Sequence, residues 1–150
     1  MKVFHGIEEL AAAAGSELGS SDWHVITQEQ VNLFADATGD HQWIHVDPEK
    51  AAVGPFGQTI AHGYLTLSLV PLFAGEVYTL EGVRMAVNYG SNKVRFPAPV
   101  LVGSKVRGTV TLDSVTPSPM GFTVAATVVV EVEGSDKPAC VAETLAVVVP

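Results

Sequence analysis

Hydrophobic residues follow different spacings in the two halves of this chain. In residues 1–75 they recur at helical intervals between polar loops, whereas residues 76–150 contain valine-rich stretches separated by turn residues. The first half therefore predicts helices over 5–14, from Thr27 to Gly39 and from Asp47 onward. The second half predicts strands over 76–80, 83–96 with a break near Gly90, 104–114, 121–132 and 139–149. Helices grouped before strands indicate an α+β fold with the helices on one face of an antiparallel sheet.

The ends of two predicted helices have recognisable signals. Thr27 to Gln30 has the form of a capping box, in which the first and last side chains satisfy exposed amides reciprocally. Gly39 is a suitable stop for that helix. Asp47 is expected to cap the next helix, with Pro48 in its first position.

A later helix, after Ile60, is apolar around nearly its whole circumference. Its apolar side chains are Tyr64, Leu65, Leu67, Leu69, Val70, Leu72 and Phe73. We expect protein to surround this helix on most sides, and Pro71 to bend or shorten it. A long antiparallel sheet curled around one apolar helix is the hot-dog arrangement. Two such sheets commonly join edge to edge in a dimer, which protects exposed edge strands.

The composition adds a second argument for a partner. The chain has 150 residues, of which 47% are hydrophobic and 16% charged, and its mean hydropathy is +0.31. The length fits one domain, so we expect a single domain over 1–150. No apolar run approaches the roughly 18–20 residues that a membrane helix needs. A single domain without a membrane helix has no obvious way to cover so many apolar residues. The composition therefore predicts a shared interface, most simply that of a homodimer.

Charge and cysteine content exclude several classes of protein. The formal net charge is −8 and no basic stripe is visible, which argues against general nucleic-acid binding. Cys140 is the only cysteine, so no intrachain disulfide can form, and we expect it to be a small buried hydrophobe. The first ten residues carry charges where a signal peptide needs an apolar core. We therefore expect a cytoplasmic setting.

The clearest candidate chemistry lies between the Gly39 stop and the Asp47 helix start. Asp40 and His45 are five residues apart, and a turn there can fold both side chains toward one point. A carboxylate and an imidazole that share one water suit general acid–base catalysis. The alternative is that Asp40 caps a turn and that His45 is a structural histidine, so the spacing alone is weak evidence.

Two other kinds of chemistry fit the sequence less well. His41 and His45 are four residues apart, a spacing that brings two zinc ligands together on a helix, but Gly39 and Pro48 argue against a helix there. We therefore expect no metal. A serine hydrolase is also disfavoured, because Ser68 lies within the apolar helix and not in a GxSxG turn.

Three segments in order match a known family. They run from Thr38 to His45 with Ala51 following, from Ile60 to Leu65, and from Asn92 to Val100 with Gly103 following. From about residue 25 to its end, the chain resembles the MaoC-like dehydratase family, the (R)-specific enoyl-thioester hydratases with a hot-dog fold. It particularly resembles single-hot-dog hydratases of actinobacterial type.

The resemblance implies a reaction and roles for particular residues. Asp40 and His45 would hold and activate a water that adds to C3 of a trans-2-enoyl thioester, while a proton goes to C2. The product is an (R)-3-hydroxyacyl thioester, dehydration is the reverse, and the sequence does not decide which residue is the base. The substrate would be carried by CoA or by acyl carrier protein, and no cofactor is implied. His62 is expected to be positional.

The resemblance also assigns the backbone amide of Gly63 to the thioester carbonyl. Two physical arguments agree, because the first amides of a helix lack internal partners and glycine allows a substrate to approach closely. The alternative is that Gly63 serves only to pack the start of the helix.

The chain departs from the family where Gln42 and Trp43 replace the common Asn-Pro. Gln42 either substitutes for the asparagine as a polar contact to the catalytic water or points elsewhere. Trp43 either lines the acyl tunnel or packs in the core. Ser68 is expected either to face Asp40 or to bond its own backbone. Asn92 is expected near the thioester carrier.

Two other functions share this fold. A hot-dog thioesterase would hydrolyse the same kind of substrate, but such enzymes generally place their carboxylate on or near the central helix. A non-catalytic acyl-binding subunit would explain Gln42 and Trp43 as marks of a decayed site. The joint presence of Asp40, His45 and Gly63 argues against decay.

Overall fold

The computed structural model describes all residues from Met1 to Pro150, with the helices in the first half of the chain and most strands in the second. The helices are α1 (Ile7–Ala12), α2 (Gln28–Thr38), α3 (Trp43–Val46), α4 (Pro48–Ala52), α5 (Gly63–Ser68) and α6 (Val70–Val77). The strands are β1 (Lys2–His5), β2 (Ser16–Ser20), β3 (His24–Val25), β4 (Tyr78–Glu81), β5 (Met85–Arg95), β6 (Lys105–Ser118), β7 (Gly121–Val132) and β8 (Cys140–Val149).

One antiparallel sheet forms most of the molecule. Its strand order is β2-β6-β7-β8-β5, and the short β3 also pairs with β6. The register of β6 and β7 runs from Val106 opposite Val132 to Ser118 opposite Gly121, which makes them a long hairpin. Buried and partly buried residues alternate along β7, as the sequence pattern predicts for a strand with one face on the core. A separate parallel pair joins β1 to β4.

The sheet curls around the segment formed by α5 and α6, which confirms the α+β hot-dog fold. Phe73 is completely buried at its centre, and Leu65 and Val77 are also in the core. The backbone of β6 lies directly on Phe73 at Gly108, where an added Cβ would be 2.6 Å from the Cβ of Phe73. This glycine therefore sets how closely helix and sheet approach each other.

The apolar helix differs in two ways from a single fully covered helix. It divides at Leu69, and Pro71 lies in the first turn of α6, so the expected shortening is confirmed. Protein of the same chain covers most sides of the helix, but it leaves one face exposed. Tyr64, Ser68 and Leu72, each four residues apart, form an exposed stripe, and Tyr64 is 72% exposed. No element of the same chain covers this stripe.

The N-terminal region contains strands that the sequence pattern does not predict. The helix expected over 5–14 spans only Ile7–Ala12, because β1 precedes it and β2 follows it. These strands have four and five residues, too few to show a clear alternation. They also pair with β4 and β6, which are distant in sequence, so their formation depends on tertiary contacts.

The predicted helix ends are present and define the loop that contains Asp40. The Oγ1 of Thr27 accepts a bond from the amide of Gln30 at 3.1 Å, although the reciprocal half of the capping box is not formed. Gly39 ends α2 with φ of 84°, a left-handed conformation that suits glycine. Asp47 caps α4 through a 3.1 Å bond from the amide of Lys50.

Two further properties bear on the expectations from composition. None of the helices combines the length and apolar character needed to cross a membrane. Cys140 is a free, buried thiol, and burial raises its pKa to about 11. It therefore behaves as a small hydrophobic side chain, as expected, and not as a nucleophile.

Candidate active site

The loop after α2 brings Asp40 and His45 together. One side-chain atom each from Asp40, His45 and His62 lies within 4.8 Å of the others. Asp40 is exposed, and its Oδ1 accepts a 3.3 Å bond from the backbone amide of Gln42. His45 is only 6% exposed and lies in the short helix α3, so the expectation of no helix between Gly39 and Pro48 is wrong. The local fold therefore places an accessible carboxylate beside a buried imidazole, the arrangement predicted from their spacing.

Hydrogen bonding and burial define the protonation state of His45. Its Nδ1 lies 2.7 Å from the carbonyl oxygen of Ile60. Because a carbonyl can only accept, we assign the proton to Nδ1, which leaves a lone pair on Nε2. Burial lowers the pKa of His45, and the neighbouring His62 adds to the lowering, while the bond to Ile60 and the charge of Asp40 oppose it. The imidazole is thus suited to accept a proton at Nε2 near neutral pH.

A side chain from α2 holds the backbone around His45. The Nε2 of Gln28 donates to the carbonyl of His45 at 2.7 Å, and its Oε1 accepts from the hydroxyl of Thr59 at 2.6 Å. The amide of Ile60 donates to the carbonyl of Ile44 at 3.0 Å. Sequence reasoning missed the role of Gln28, whose only local signal was its place in the capping-box segment.

His62 is the most deeply buried polar residue of the site. It is 2% exposed, and its Nε2 donates to the backbone carbonyl of Asp40 at 2.9 Å. Its ring stacks on that of His45, with centroids 3.9 Å apart and planes inclined by 23°. The centroid of its ring also lies 4.9 Å from that of the Phe34 ring. Its Nδ1 is buried and has no hydrogen-bond partner.

Gly63 opens α5 directly after His62. As the first residue of the helix, it has an amide with no acceptor inside the helix. An added Cβ would lie 3.2 Å from three carbons of the Phe96 ring, so any larger residue here would have to displace that ring slightly. Beside it is a mostly apolar cavity of about 340 Å³. The cavity is lined by Phe56, Ile60, Ala61, Gly63, Thr66, Phe96, Ala98, Pro99, Val100 and Ala139.

The two residues that depart from the family pattern point away from this cavity lining. The Gln42 side chain is exposed at the start of α3, and only its backbone amide contacts Asp40. The Trp43 ring lies under the ammonium of Lys50 at 4.8 Å and against Gly54, where an added Cβ would be 2.8 Å from the indole. Trp43 therefore packs on α4 and the turn after it.

The structure does not bring Ser68 or Asn92 to the site of their own chain. The hydroxyl of Ser68 donates to the carbonyl of Tyr64 at 2.6 Å on the exposed face of α5, which is the alternative in which it bonds its own backbone. The helix phase, which the sequence leaves open, turns this side chain outward. Asn92 is exposed near an irregularity of the edge strand β5 and lines no part of the cavity beside Gly63.

Asp40, His45 and His62 are also the residues that could hold a metal ion. Their candidate ligand atoms lie within 4.8 Å of one another, and the two imidazole rings are stacked. The other nitrogen of each ring donates to a backbone carbonyl, as histidines that bind metals also do. His41 pairs with Asp36 at 2.9 Å on the surface, and that bond raises the pKa of His41. His41, which the sequence pairs with His45 as a possible ligand, is thus not part of this group.

Comparisons with known proteins agree with this fold. The chain matches the family described as MaoC like domain over residues 9–134. It is 64% identical over 147 residues to 3-hydroxyacyl-thioester dehydratase Z of Mycobacterium tuberculosis, covering 97% of each chain. It is 43% identical over 145 residues to nodulation protein N of Rhizobium meliloti, covering 94% of this chain and 89% of that one. The (R)-hydratase from A. caviae involved in PHA biosynthesis has a similar fold, with a TM-score of 0.73, 23% identity and coverage of 91% and 98%.

Proposed function

Because the chain belongs to the MaoC-like domain family, we propose that it is a hydro-lyase that hydrates trans-2-enoyl thioesters to (R)-3-hydroxyacyl thioesters and catalyses the reverse dehydration. The single observation that supports this most is the Asp40 carboxylate within 4.8 Å of the buried His45 imidazole. The extensive identity to a relative named as a 3-hydroxyacyl-thioester dehydratase supports the same reaction.

In the proposed mechanism His45 is the base of the hydration direction. Its Nε2 lone pair takes a proton from water as the water oxygen bonds to C3 of the enoyl group. The C2=C3 electrons move toward the thioester carbonyl and form an enolate. The imidazolium then gives its proton to C2, so that one water has been added. Asp40 accepts a hydrogen bond from the other O–H of the water. Its negative charge also stabilises the imidazolium that forms on His45.

The backbone amide of Gly63 is the proposed partner of the thioester oxygen. This oxygen gains negative charge in the enolate, and a fixed N–H donor stabilises the charge most when it is already in place. The amide has no acceptor inside α5, and the apolar cavity beside Gly63 offers the acyl chain a dry surface. The carrier, CoA or acyl carrier protein, would then lie outside the cavity.

The position of carboxylates separates this proposal from thioester hydrolysis. Helix α5 has no acidic residue, and the only one in α6 is Glu76. Both oxygens of that carboxylate are already bonded, one to His24 Nε2 at 2.8 Å and the other to the amide of Asp22 at 3.0 Å. The central helix therefore presents no free carboxylate to a thioester, which disfavours a thioesterase.

We also propose that the chain acts as a homodimer in the cytoplasm. The edge strand β5 exposes Met85, Val87 and Tyr89, and the helix exposes Tyr64 and Leu72. An unpaired strand edge with apolar side chains is a favourable surface for a second copy. A second copy would also give Ser68 and Asn92, which do not reach their own site, a possible contact with the partner's substrate.

Turnover of a short enoyl-CoA such as crotonyl-CoA tests the proposal. We expect the absorbance of the conjugated enoyl thioester to fall when the protein is added, with (R)-3-hydroxyacyl-CoA as the product. Release of a free thiol without hydration would indicate a thioesterase. Retained binding of the substrate without any turnover would indicate an acyl-binding subunit. A chain-length series of substrates then defines the preferred acyl group.

A further inference from the structure

We propose that His62 is a positioning residue that holds the carboxylate-bearing loop, the His45 ring and the start of α5 in one fixed relationship. It precedes Gly63 in sequence and lies between the proposed catalytic groups in space. The inference rests on the proposed function, because it assigns His62 a task only if Asp40 and His45 perform the chemistry.

The first contact of His62 fixes the backbone of Asp40. No backbone–backbone hydrogen bond involves Asp40, which follows the last helical bond of α2. Its carbonyl instead accepts the 2.9 Å bond from His62 Nε2. The only hydrogen bond to its carboxylate within the chain is the 3.3 Å bond from the Gln42 amide. His62 is therefore the main restraint on where the Asp40 backbone lies.

The second contact fixes the plane of the His45 ring. The bond from Nδ1 to Ile60 holds one edge of that ring, and stacking against the His62 ring, with the two ring centroids 3.9 Å apart, supports its face. The Phe34 ring lies on the His62 ring, with the two centroids 4.9 Å apart. The direction of the His45 Nε2 lone pair is thus set by two neighbours, the Ile60 carbonyl and the His62 ring.

The third contact joins the same residue to the helix that contains the Gly63 amide. The carbonyl of His62 accepts from the amides of Leu65 at 3.1 Å and Thr66 at 3.2 Å. A movement of the His62 backbone would therefore move the first turn of α5. The first turn of α5, which contains the Gly63 amide, is therefore joined through residue 62 to the ring that contacts Asp40 and His45.

The unpaired Nδ1 of His62 argues against a purely space-filling role. A buried nitrogen with no partner within the chain is a polar group that space filling alone does not require, since an apolar side chain of similar size would fill the same volume. The Nε2 donor and the flat ring together explain why a histidine suits this position.

Two nearly isosteric substitutions separate these roles. His62→Gln keeps an N–H that can donate to the Asp40 carbonyl, whereas His62→Met has no donor, and both remove the ring. With crotonyl-CoA, we expect the kcat of H62M to be at least about tenfold below that of H62Q, since small displacements of catalytic groups have large effects. The two KM values should stay within about threefold of each other. The matched control is His24, whose Nε2 bonds Glu76: H24Q and H24M should have equal kcat.

Equal kcat for folded H62M and H62Q would overturn the inference, as would a difference that disappears when rates are divided by the folded fraction. If H62M does not fold, His62→Phe, which keeps a ring without a donor, is compared with the wild type, and an unchanged kcat then overturns the inference. Failure of the proposed function looks different, because the wild-type protein would then show no hydration or D40N would keep its full rate.

Discussion

The Nδ1–H of His45 donates to the carbonyl oxygen of Ile60 over 2.7 Å, a contact between a short helix and a residue of the sheet border. Ile60 forms an isolated bridge with Leu101, and its amide returns a bond to Ile44, so both partners of the contact are anchored. The contact leaves only Nε2 free to react with a substrate. It also anchors the Nδ1 edge of the ring to the backbone, while the stacked His62 ring supports its face.

The pH dependence of hydration should reflect the burial of His45. Burial lowers the pKa of this group below 6.5, and the nearby ionisable groups are Asp40, whose charge raises it, and His62, which lowers it. Because His45 acts in its neutral form, a lowered pKa keeps it active to lower pH. We therefore expect the acid limb of kcat/KM to lie below pH 6.5 in a profile measured from about pH 5 to 8.

His41 provides the control for that profile. Its bond to Asp36 raises the pKa of His41. If His41 contributed to the profile, the acid limb of kcat/KM would therefore lie above pH 6.5. The H41Q variant should leave the acid limb unchanged. An acid limb above pH 6.5 that persists in H41Q would contradict the assignment of His45 as the base.

Gly63 allows packing and substrate contact to be separated. An added Cβ meets the Phe96 ring at 3.2 Å, so Gly63→Ala alone mixes both effects. Phe96→Ala removes the obstructing ring. If substrate must approach the Gly63 amide, G63A/F96A should have a kcat/KM at least about tenfold below F96A. Equal values for these two variants would show that Gly63 is needed only for packing.

The contact between Gly108 and Phe73 makes a prediction about stability. Gly108→Ala forces a Cβ to within 2.6 Å of Phe73 in the core, and overpacking of this kind costs about 1–3 kcal/mol. Gly75→Ala, in helix α6 with open space around the new Cβ, should instead stabilise by about 0.5–1 kcal/mol. Denaturant midpoints at one protein concentration compare the two. A neutral G108A variant would contradict the packing described for this core.

The exposed edge strand predicts the state of association. Tyr89→Glu places a charge on β5, at a side chain that is 71% exposed in one chain, and should shift the protein from dimer to monomer in light scattering. Met120→Glu changes a similarly exposed apolar residue beside the β6–β7 turn and should leave the dimer intact. A wild-type monomer, or a dimer unaffected by Y89E, would contradict the proposed interface.

Local signals account for the parts of the site that the sequence predicts correctly. The Gly39 stop and the Asp47 cap are set by neighbouring residues, so the loop that brings Asp40 to His45 could be predicted. Cys140 is likewise buried as expected. The strand-rich second half follows from alternation, which depends on near neighbours along the chain.

Tertiary contacts account for the parts that the sequence does not reveal. The bond from Gln28 to His45 joins residues 17 apart, and the bond from His62 to Asp40 joins residues 22 apart. Nothing in the local pattern fixes which face of α5 turns toward Asp40, so the outward position of Ser68 could not be predicted. The short strands β1 and β2 form only because β4 and β6 are beside them.

The kcat/KM for enoyl-CoA hydration in four single variants tests the central claim most directly. We expect Asp40→Asn and His45→Gln each to lower kcat/KM by about 100-fold or more, because each removes a proton-transfer or water-holding group. The matched controls Asp36→Asn and His41→Gln alter a neighbouring carboxylate–histidine pair on the surface and should stay close to the wild-type rate. Full activity in folded D40N and H45Q would contradict the assignment of this pair as the catalytic centre.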